Sequence, residues 1–360
     1  MTFKVCIVGA GAIGGLVGAR LAALADAQVS ALARGATLAA LRQHGWRLHE
    51  GGQRLQAPAR AEEDAGALGT QDLVVIAVKG PSLPALAPKL APLIGPGTVV
   101  LPAMNGVPWW FSQAMPALHG EPLASVDPGG VVARSVPFGA VLGCVVHVSS
   151  STSEPGVVQH RMGQGLIIGE PLGEPGGRPG GRPGGRPGGD GPPAGPATFA
   201  ATPVVAGTAR VRQVADWLRR ARFEVTVSAD VKRDAWYKLW GNLTMNPVSA
   251  LTGATIDQVL ADELVRDLCS GAMREAARVG EQIGCPIEQS PEDRHAVTAK
   301  LGAFKTSMLQ DVEAGRPIEL DAIVGAVHEI GRRVRVDTPV IDGLLGLTRL
   351  FARTRGLYPA

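Results

Sequence analysis

The chain has 360 residues but only four cysteines, a net charge of just +3, and no uncharged apolar stretch long enough to cross a bilayer. Each shortage excludes a class. Cys6, Cys144, Cys269 and Cys285 are widely spaced, form no C-x-x-C pair and have no histidine at metal-ligand spacing. That argues against a disulfide scaffold or a zinc site and for reduced thiols in a cytoplasmic protein. The small charge, with Arg178, Arg182 and Arg186 confined to one repetitive segment, leaves no basic face for nucleic acid or an anionic membrane. Residues 5–19 carry no charge, yet the run is shorter than the roughly 20 residues a spanning helix needs. It is crowded with glycine, stops at Arg20 and is preceded by Lys4 alone, so it reads neither as a membrane anchor nor as a secretory leader. His147 and His160 lie in strand-like runs and read as satisfied structural residues rather than metal ligands.

What is present starts at Phe3. An apolar β-branched run enters Gly9-Ala10-Gly11-Ala12-Ile13-Gly14, a helical pattern continues to Leu24, and a second strand, Gln28–Leu32, follows at βαβ spacing. Gly9 permits a tight turn, Gly11 removes a side chain that would collide with a pyrophosphate, and Gly14 lets the helix approach the strand. This is the pattern of a dinucleotide site. Enzymes selective for NAD usually end the second strand with an acidic residue for the ribose 2′-hydroxyl, whereas this chain has Ala33-Arg34. A further strand, Asp72–Val78, delivers Lys79 to the same edge of the sheet. Arg34 and Lys79 are therefore expected to hold the 2′-phosphate of NADP(H).

The rest of the chain sorts into two domains. Gly51-Gly52 suggests a hairpin, Gly97–Met104 a strand ending in Asn105-Gly106, and Leu83–Leu93 a helix interrupted by prolines. Short runs at Val141–Val148, Val157–His160 and Leu166–Ile168 read as antiparallel strands closing the first domain. A Gly-Gly-Arg-Pro repeat within about 171–203 cannot bury enough apolar area to offset its ordering entropy and is expected to be a disordered surface insertion. After a helix at Val211–Arg220 and a strand at Phe223–Ser228, the pattern turns helical, with Asp230 as N-cap, helices at Leu264–Ile283, Ala303–Glu313 and Asp321–Arg332, and Gly284 and Gly315 as stops. The expectation is an α/β fold: a Rossmann-type NADP-binding domain over residues 1–228, then an all-helical substrate-binding and catalytic domain over residues 229–360, with a cleft between them.

Two places could carry chemistry. In Asp234-Ala-Trp-Tyr-Lys238-Leu-Trp-Gly-Asn242-Leu-Thr-Met-Asn246-Pro247, positions four apart fall on one helical face, so Lys238, Asn242 and Asn246 form a polar stripe amid bulky apolar residues. Hydride reduction of a ketone needs a proton for the new alkoxide, and a partly desolvated lysine can supply it. The amides can orient the lysine and the substrate. Further on, Glu319 stands between Ile318 and Leu320, where it could bind a substrate hydroxyl, and Ser307 could donate to a carboxylate. Helix-start charge matching would equally account for Glu319, and simple solvation for Ser307.

Taken in order, the glycine turn, Arg34, Asn105-Gly106, the Lys238/Asn242/Asn246-Pro247 spacing and the Ser307/Glu319 pair make the chain resemble the ketopantoate reductases (2-dehydropantoate 2-reductases). The resemblance implies an α/β nucleotide domain followed by an all-helical one. It makes Lys238 the general acid. Asn105, Asn242 and Asn246 would position the nicotinamide, the lysine and the substrate, and Ser307 and Glu319 would hold the two ends of a small 2-oxo acid. It leaves a homodimer open. Two features depart from the family: the Gly-Gly-Arg-Pro insertion, and the bulky Val107-Pro108-Trp109-Trp110-Phe111 after Asn105-Gly106. The tryptophans either shape a pocket for a larger 2-oxo acid or pack against the second domain. A β-hydroxyacid dehydrogenase and a non-catalytic NADP sensor are the competing readings. The first usually precedes its lysine with a glycine-rich helix segment, absent from Asp230–Tyr237, and a sensor has no need of Lys238 and Glu319 together.

Overall fold

A computed structural model describes residues 2–173 and 207–359. Most of the Gly/Pro/Arg-rich insertion expected at 171–203 lies outside the described residues. The chain opens as β1 (Phe3–Val8), α1 (Ala12–Ala22), β2 (Ala27–Leu32), α2 (Gly35–His44), β3 (Trp46–Glu50), β4 (Gln53–Ala57), β5 (Arg60–Glu62) and β6 (Leu73–Ile76). The expected Leu83–Leu93 helix is only one α turn, α3 (Leu83–Leu86), followed by 3₁₀ structure, because prolines remove the donors that a longer helix needs. Then come β7 (Val99–Pro102), α4 (Val131–Ser135), β8 (Gly143–Glu154), β9 (Val157–Gly169), α5 (Ala209–Arg220) and β10 (Glu224–Val227).

These strands form two sheets. The first is parallel, in the order β5-β2-β1-β6-β7. Strands β6 and β7 are buried along their length and β1 everywhere but Lys4, as runs such as Leu73-Val-Val-Ile76 require when both faces are covered. The second has the order β10-β9-β3-β4, with β8 on β9. The three short runs expected between 141 and 168 are in fact two long strands joined as a hairpin, and the pairing is not purely antiparallel, since β3 and β10 both run parallel to β9. Ser149 to Ser151 stay paired with β9 but across register shifts at His147/Ser149 and Ser149/Ser150, on the partly solvated stretch of β8 where polar side chains are tolerated.

Helix α1 lies between the two sheets. Every residue from Gly14 to Leu21 is buried, including Arg20, whose guanidinium pairs with Glu50. A Cβ on Gly14 would fall against the Gly9 carbonyl and 3.0 Å from Ile7 of the first sheet, and one on Gly18 would sit 2.5 Å from the Trp46 ring of the second. The run of small residues in α1 is what lets both sheets close on it.

From Val231 on, the described residues are helical: α6 (Val231–Thr252), α7 (Ile256–Ala261), α8 (Glu263–Gln282), α9 (Pro291–Ala299), α10 (Ser307–Glu313), α11 (Ala326–Arg333) and α12 (Pro339–Thr354), with a π-helical turn at Asp321–Gly325. Asp230 is the N-cap residue of α6, as expected, although its carboxylate makes no capping bond and pairs instead with Lys232 at 3.1 Å. Helix α10 starts at Ser307 rather than Ala303, because the Thr306 hydroxyl caps it by accepting from the Leu309 amide at 3.1 Å. One apolar cluster runs from Val74, Ile76 and Leu90 through Trp109, Trp110 and Phe111 to Trp236, Leu239 and Ile323. It joins the parallel sheet to the helices. Trp109 and Trp110 are 2 % and 1 % exposed, and Phe111 stacks on Trp236 of α6 with ring centroids 6.1 Å apart. The tryptophans therefore pack between the two parts of the chain. No helix among the described residues is long and apolar enough to cross a membrane.

Candidate functional site

Parallel sheets place ligands outside the carboxyl ends of their strands, and the predicted site residues gather there. After β1, Gly9 takes φ +90° and turns the backbone under α1. Ala10 is buried, whereas Gly11, at the start of the helix, is exposed, and a Cβ built on it would meet nothing within 4 Å. Ala12 and Ile13 open the first turn, where amide donors have no carbonyl partner within the helix. A phosphate fits this open, backbone-lined helix start, and a side chain at position 11 would intrude on it. Arg34 follows β2, precedes α2 and is exposed, so its guanidinium is available to an anionic group at that edge.

Lys79 is placed differently from the sequence expectation. It follows β6, separated from β2 by β1. Its ammonium is not directed to the Arg34 side; it pairs with Asp311 of α10 at 2.7 Å and donates to the Pro317 carbonyl at 2.9 Å. Its charge is thus committed to bridging the parallel sheet and the helices. The neighbouring Gly80 amide makes a second bridge, donating to Glu319 Oε1 at 3.0 Å.

Lys238 lies on α6, which packs against β8 and β9 of the second sheet. Its ammonium donates to Asn105 Oδ1 at 2.8 Å and to the Val146 carbonyl of β8 at 2.6 Å. Desolvation lowers its pKa to about 8, against the opposing pull of Cys144 and Glu319. Glu319 in turn has its carboxyl pKa raised, chiefly by burial; the Gly80 amide, Lys79 and Lys238 act against that shift. An acid and a base tuned towards each other by one enclosed environment are a frequent mark of a reaction site. Asn105 is held by Gly106, which takes φ +79° and would carry a Cβ into the Ala322 carbonyl, while the Val107 amide donates to that same carbonyl at 2.7 Å. Asn242 and Asn246 continue the Lys238 face of α6, half-buried and buried respectively. Ser307 is exposed at the first turn of α10, which packs on α6.

The structure therefore brings Lys238, Asn105, Glu319 and Lys79 together, sets Asn242 and Asn246 along the same helix face, and leaves Arg34 at the nucleotide edge. Sequence reasoning missed the Val146 carbonyl, the Gly80 amide and Asp311. The first two are backbone groups with no signature in residue identity. Asp311 had one, falling four residues after Ser307 on the same helix face. His147, next to Val146, has its pKa pushed down to about 3 by burial and by Lys238 and Arg294, so it adds no charge beside the ammonium. His160 bonds to the Gly163 carbonyl at 2.7 Å.

Residues 5–173 match the family described as Ketopantoate reductase PanE/ApbA, and residues 230–352 match Ketopantoate reductase PanE/ApbA C terminal. A 2-dehydropantoate 2-reductase of Mesorhizobium japonicum is 39 % identical over 356 residues, covering 99 % of each chain. One from Halobacterium salinarum is 27 % identical over 354 residues, 97 % of this chain and 99 % of the other. Among solved structures, a candidate ketopantoate reductase from Ralstonia solanacearum MolK2 is 50 % identical, with a TM-score of 0.87 over 99 % of this chain and 100 % of that one.

Proposed function

The chain belongs to the ketopantoate reductase family and is an oxidoreductase acting on CH–OH groups, and from that premise we propose that it reduces a 2-oxo acid to the 2-hydroxy acid with NADPH, 2-dehydropantoate to pantoate being the leading case. The observation that carries this reading is the Lys238 ammonium, desolvated to a pKa of about 8 and aimed by Asn105 and the Val146 carbonyl at the end of the parallel sheet. An ammonium with that pKa is mostly protonated at neutral pH yet parts with its proton far more readily than a solvated lysine.

In this division of labour residues 1–228 hold the cofactor and residues 229–360 the substrate. Bound NADPH supplies the hydride. The open start of α1, with Gly9, Ala10, Gly11, Ala12, Ile13 and Gly14, receives the pyrophosphate, and Arg34 alone takes the 2′-phosphate, since Lys79 is engaged with Asp311. Lys238 Nζ gives its proton to the forming alkoxide. Asn105 aligns the lysine with the nicotinamide side of the site, Asn242 and Asn246 orient the substrate, Ser307 binds its carboxylate, and Glu319 accepts from its hydroxyl. The four buried free thiols suit the reducing conditions of the cytoplasm.

The test is NADPH oxidation across a panel of 2-oxo acids. The reading expects turnover with 2-dehydropantoate at a higher kcat/KM than with aryl or longer 2-oxo acids. The buried Trp109 and Trp110 favour that ranking, because they are packed away rather than offered to a larger substrate. Tight NADPH binding without turnover of any 2-oxo acid would instead mark a nucleotide sensor.

A further inference from the structure

The segment that presents Glu319 is pinned from two sides, and only one belongs to the site described above. From the parallel sheet come the Gly80 amide, which donates to Glu319 Oε1 at 3.0 Å, and the Val107 amide, which donates to the Ala322 carbonyl at 2.7 Å. From the far end of the chain comes a second pair of bonds. The Ile318 amide donates to the Leu357 carbonyl at 3.1 Å, and the Tyr358 hydroxyl donates to Asp321 Oδ1. These contacts bracket Glu319 by one residue before it and two after it.

The tail that makes them is itself firmly seated. After α12 the chain turns back at Gly356, the Leu357 amide donates to the Ala352 carbonyl at 2.8 Å, and the Leu357 side chain is 4 % exposed in the same apolar cluster as Ile318 and Ile323. Burial and the adjacent Asp321 carboxylate push the Tyr358 hydroxyl pKa up, so it stays a donor at any physiological pH. Asp321 opens the π-helical turn Asp321–Gly325. Such turns are uncommon, occur often at functional sites and displace the carbonyls that a regular helix would keep in line. Here the displaced stretch includes Ala322, whose carbonyl the Val107 amide uses.

We propose that Tyr358 is a positioning residue for the reduction: by bonding Asp321 it fixes the Ile318–Ala322 segment, and so holds the Glu319 carboxylate where the substrate meets it. Tyr358 touches neither substrate nor cofactor in this scheme. The inference rests on the reading of Glu319 as a substrate contact. Its consequence falls chiefly on substrate KM, because a displaced carboxylate weakens substrate binding and leaves the nucleotide edge untouched; moving Glu319 away also removes part of what raises the Lys238 pKa, so any effect on kcat should be confined to the alkaline side of its pH profile. A misplacement of about 1 Å at a binding group is enough to be felt.

The test compares Tyr358→Phe, Asp321→Ala, Glu319→Gln and the double variant Tyr358→Phe/Glu319→Gln in the full-length enzyme, each read for KM of the 2-oxo acid, KM of NADPH, kcat and Tm. Tyr358→Phe and Asp321→Ala should each raise KM for the 2-oxo acid roughly three- to tenfold and leave KM for NADPH unchanged, a fraction of the roughly ten- to hundredfold worth of a charge-assisted hydrogen bond, since the loss reaches the substrate only through Glu319. In the Glu319→Gln background, Tyr358→Phe should have almost no additional effect, since two groups acting through one contact are not additive. A lowered Tm with an unchanged KM would reduce Tyr358 to a structural strap and overturn the proposal. Full additivity in the double variant would do the same, while leaving the role of Glu319 intact. If Glu319→Gln itself leaves KM unchanged, the substrate role of Glu319 fails and this inference fails with it.

Discussion

The two ends of the site are built on opposite plans. The nucleotide end is nearly contiguous: β1, the turn at Gly9 and the start of α1 lie within residues 3–22, with Arg34 just after β2 and only Ala77 and Val78 packing on the turn from farther along the chain. The Glu319 end is assembled from Gly80, Val107, Asp311, Leu357 and Tyr358, drawn from separate parts of the chain. A contiguous site tolerates little change in its own few residues and ignores most others. A dispersed site spreads its dependence over many positions, each contributing a modest share.

The sharpest way to break that contrast is at the residue between the two ends. Lys238→Ala removes the proposed proton donor, and kcat should fall by about 10²–10⁴ while the dissociation constant for NADPH, measured by fluorescence titration, stays within a factor of about two. The unmodified enzyme offers a related check. Reduction needs the protonated ammonium, which is fully present well below pH 8 and lost above it, so kcat should be level on the acid side and decline as pH rises through about 8. A profile flat to pH 10 would remove Lys238 from the mechanism.

The nucleotide end comes next. Arg34→Ala should erase a preference for NADPH over NADH of roughly ten- to a hundredfold, the worth of one charge-assisted hydrogen bond, and leave KM for the 2-oxo acid alone. Equal use of both cofactors by the unmodified enzyme would refute the assignment of the 2′-phosphate to Arg34. Gly14→Ala forces a Cβ into the Gly9 carbonyl, and a thermal or denaturant melt should register about 1–3 kcal/mol of overpacking together with weaker nucleotide binding. The smallest effect belongs to the dispersed end. The Lys79–Asp311 pair is partly solvent-exposed, with side chains 35 % and 11 % accessible, and solvent screens it, so Lys79→Ala should change KM for the 2-oxo acid by no more than about fivefold. A loss comparable to that of Lys238→Ala would show that the second end is no less concentrated than the first.

This contrast also separates what could be read in the amino-acid sequence from what could not. The Gly9–Gly14 turn, the strand at Asp72–Val78 and the helical face of Lys238, Asn242 and Asn246 were legible because each depends on residues a few positions apart, where periodicity and glycine placement carry the signal. The second sheet was only partly legible. Its hairpin at Gly51-Gly52 is local, but β3 runs beside β9 with Arg47 opposite Val157, a pairing that no local pattern encodes. Within the site, Lys79 illustrates the same limit. Its place at the end of a strand was evident, yet which way its side chain reaches depends on Asp311 and Pro317, brought near only by the packing of α10. Trp109 and Trp110 were ambiguous because bulky aromatics suit a pocket wall and a core equally well, and only the neighbouring Trp236 and Leu239 decide between them.

Helix α1, closed between two sheets, has a consequence for time rather than for shape. Its amides lie under Trp46 on one flank and Ile7 on the other, with no Cβ on Gly14 or Gly18 to hold the walls apart. Exposing them to solvent requires parting both sheets at once, so the amides of Gly15 to Leu21 should be among the last in the molecule to exchange for deuterium. The body of α1 would then hold its form over hours in which looser parts of the chain open and close many times.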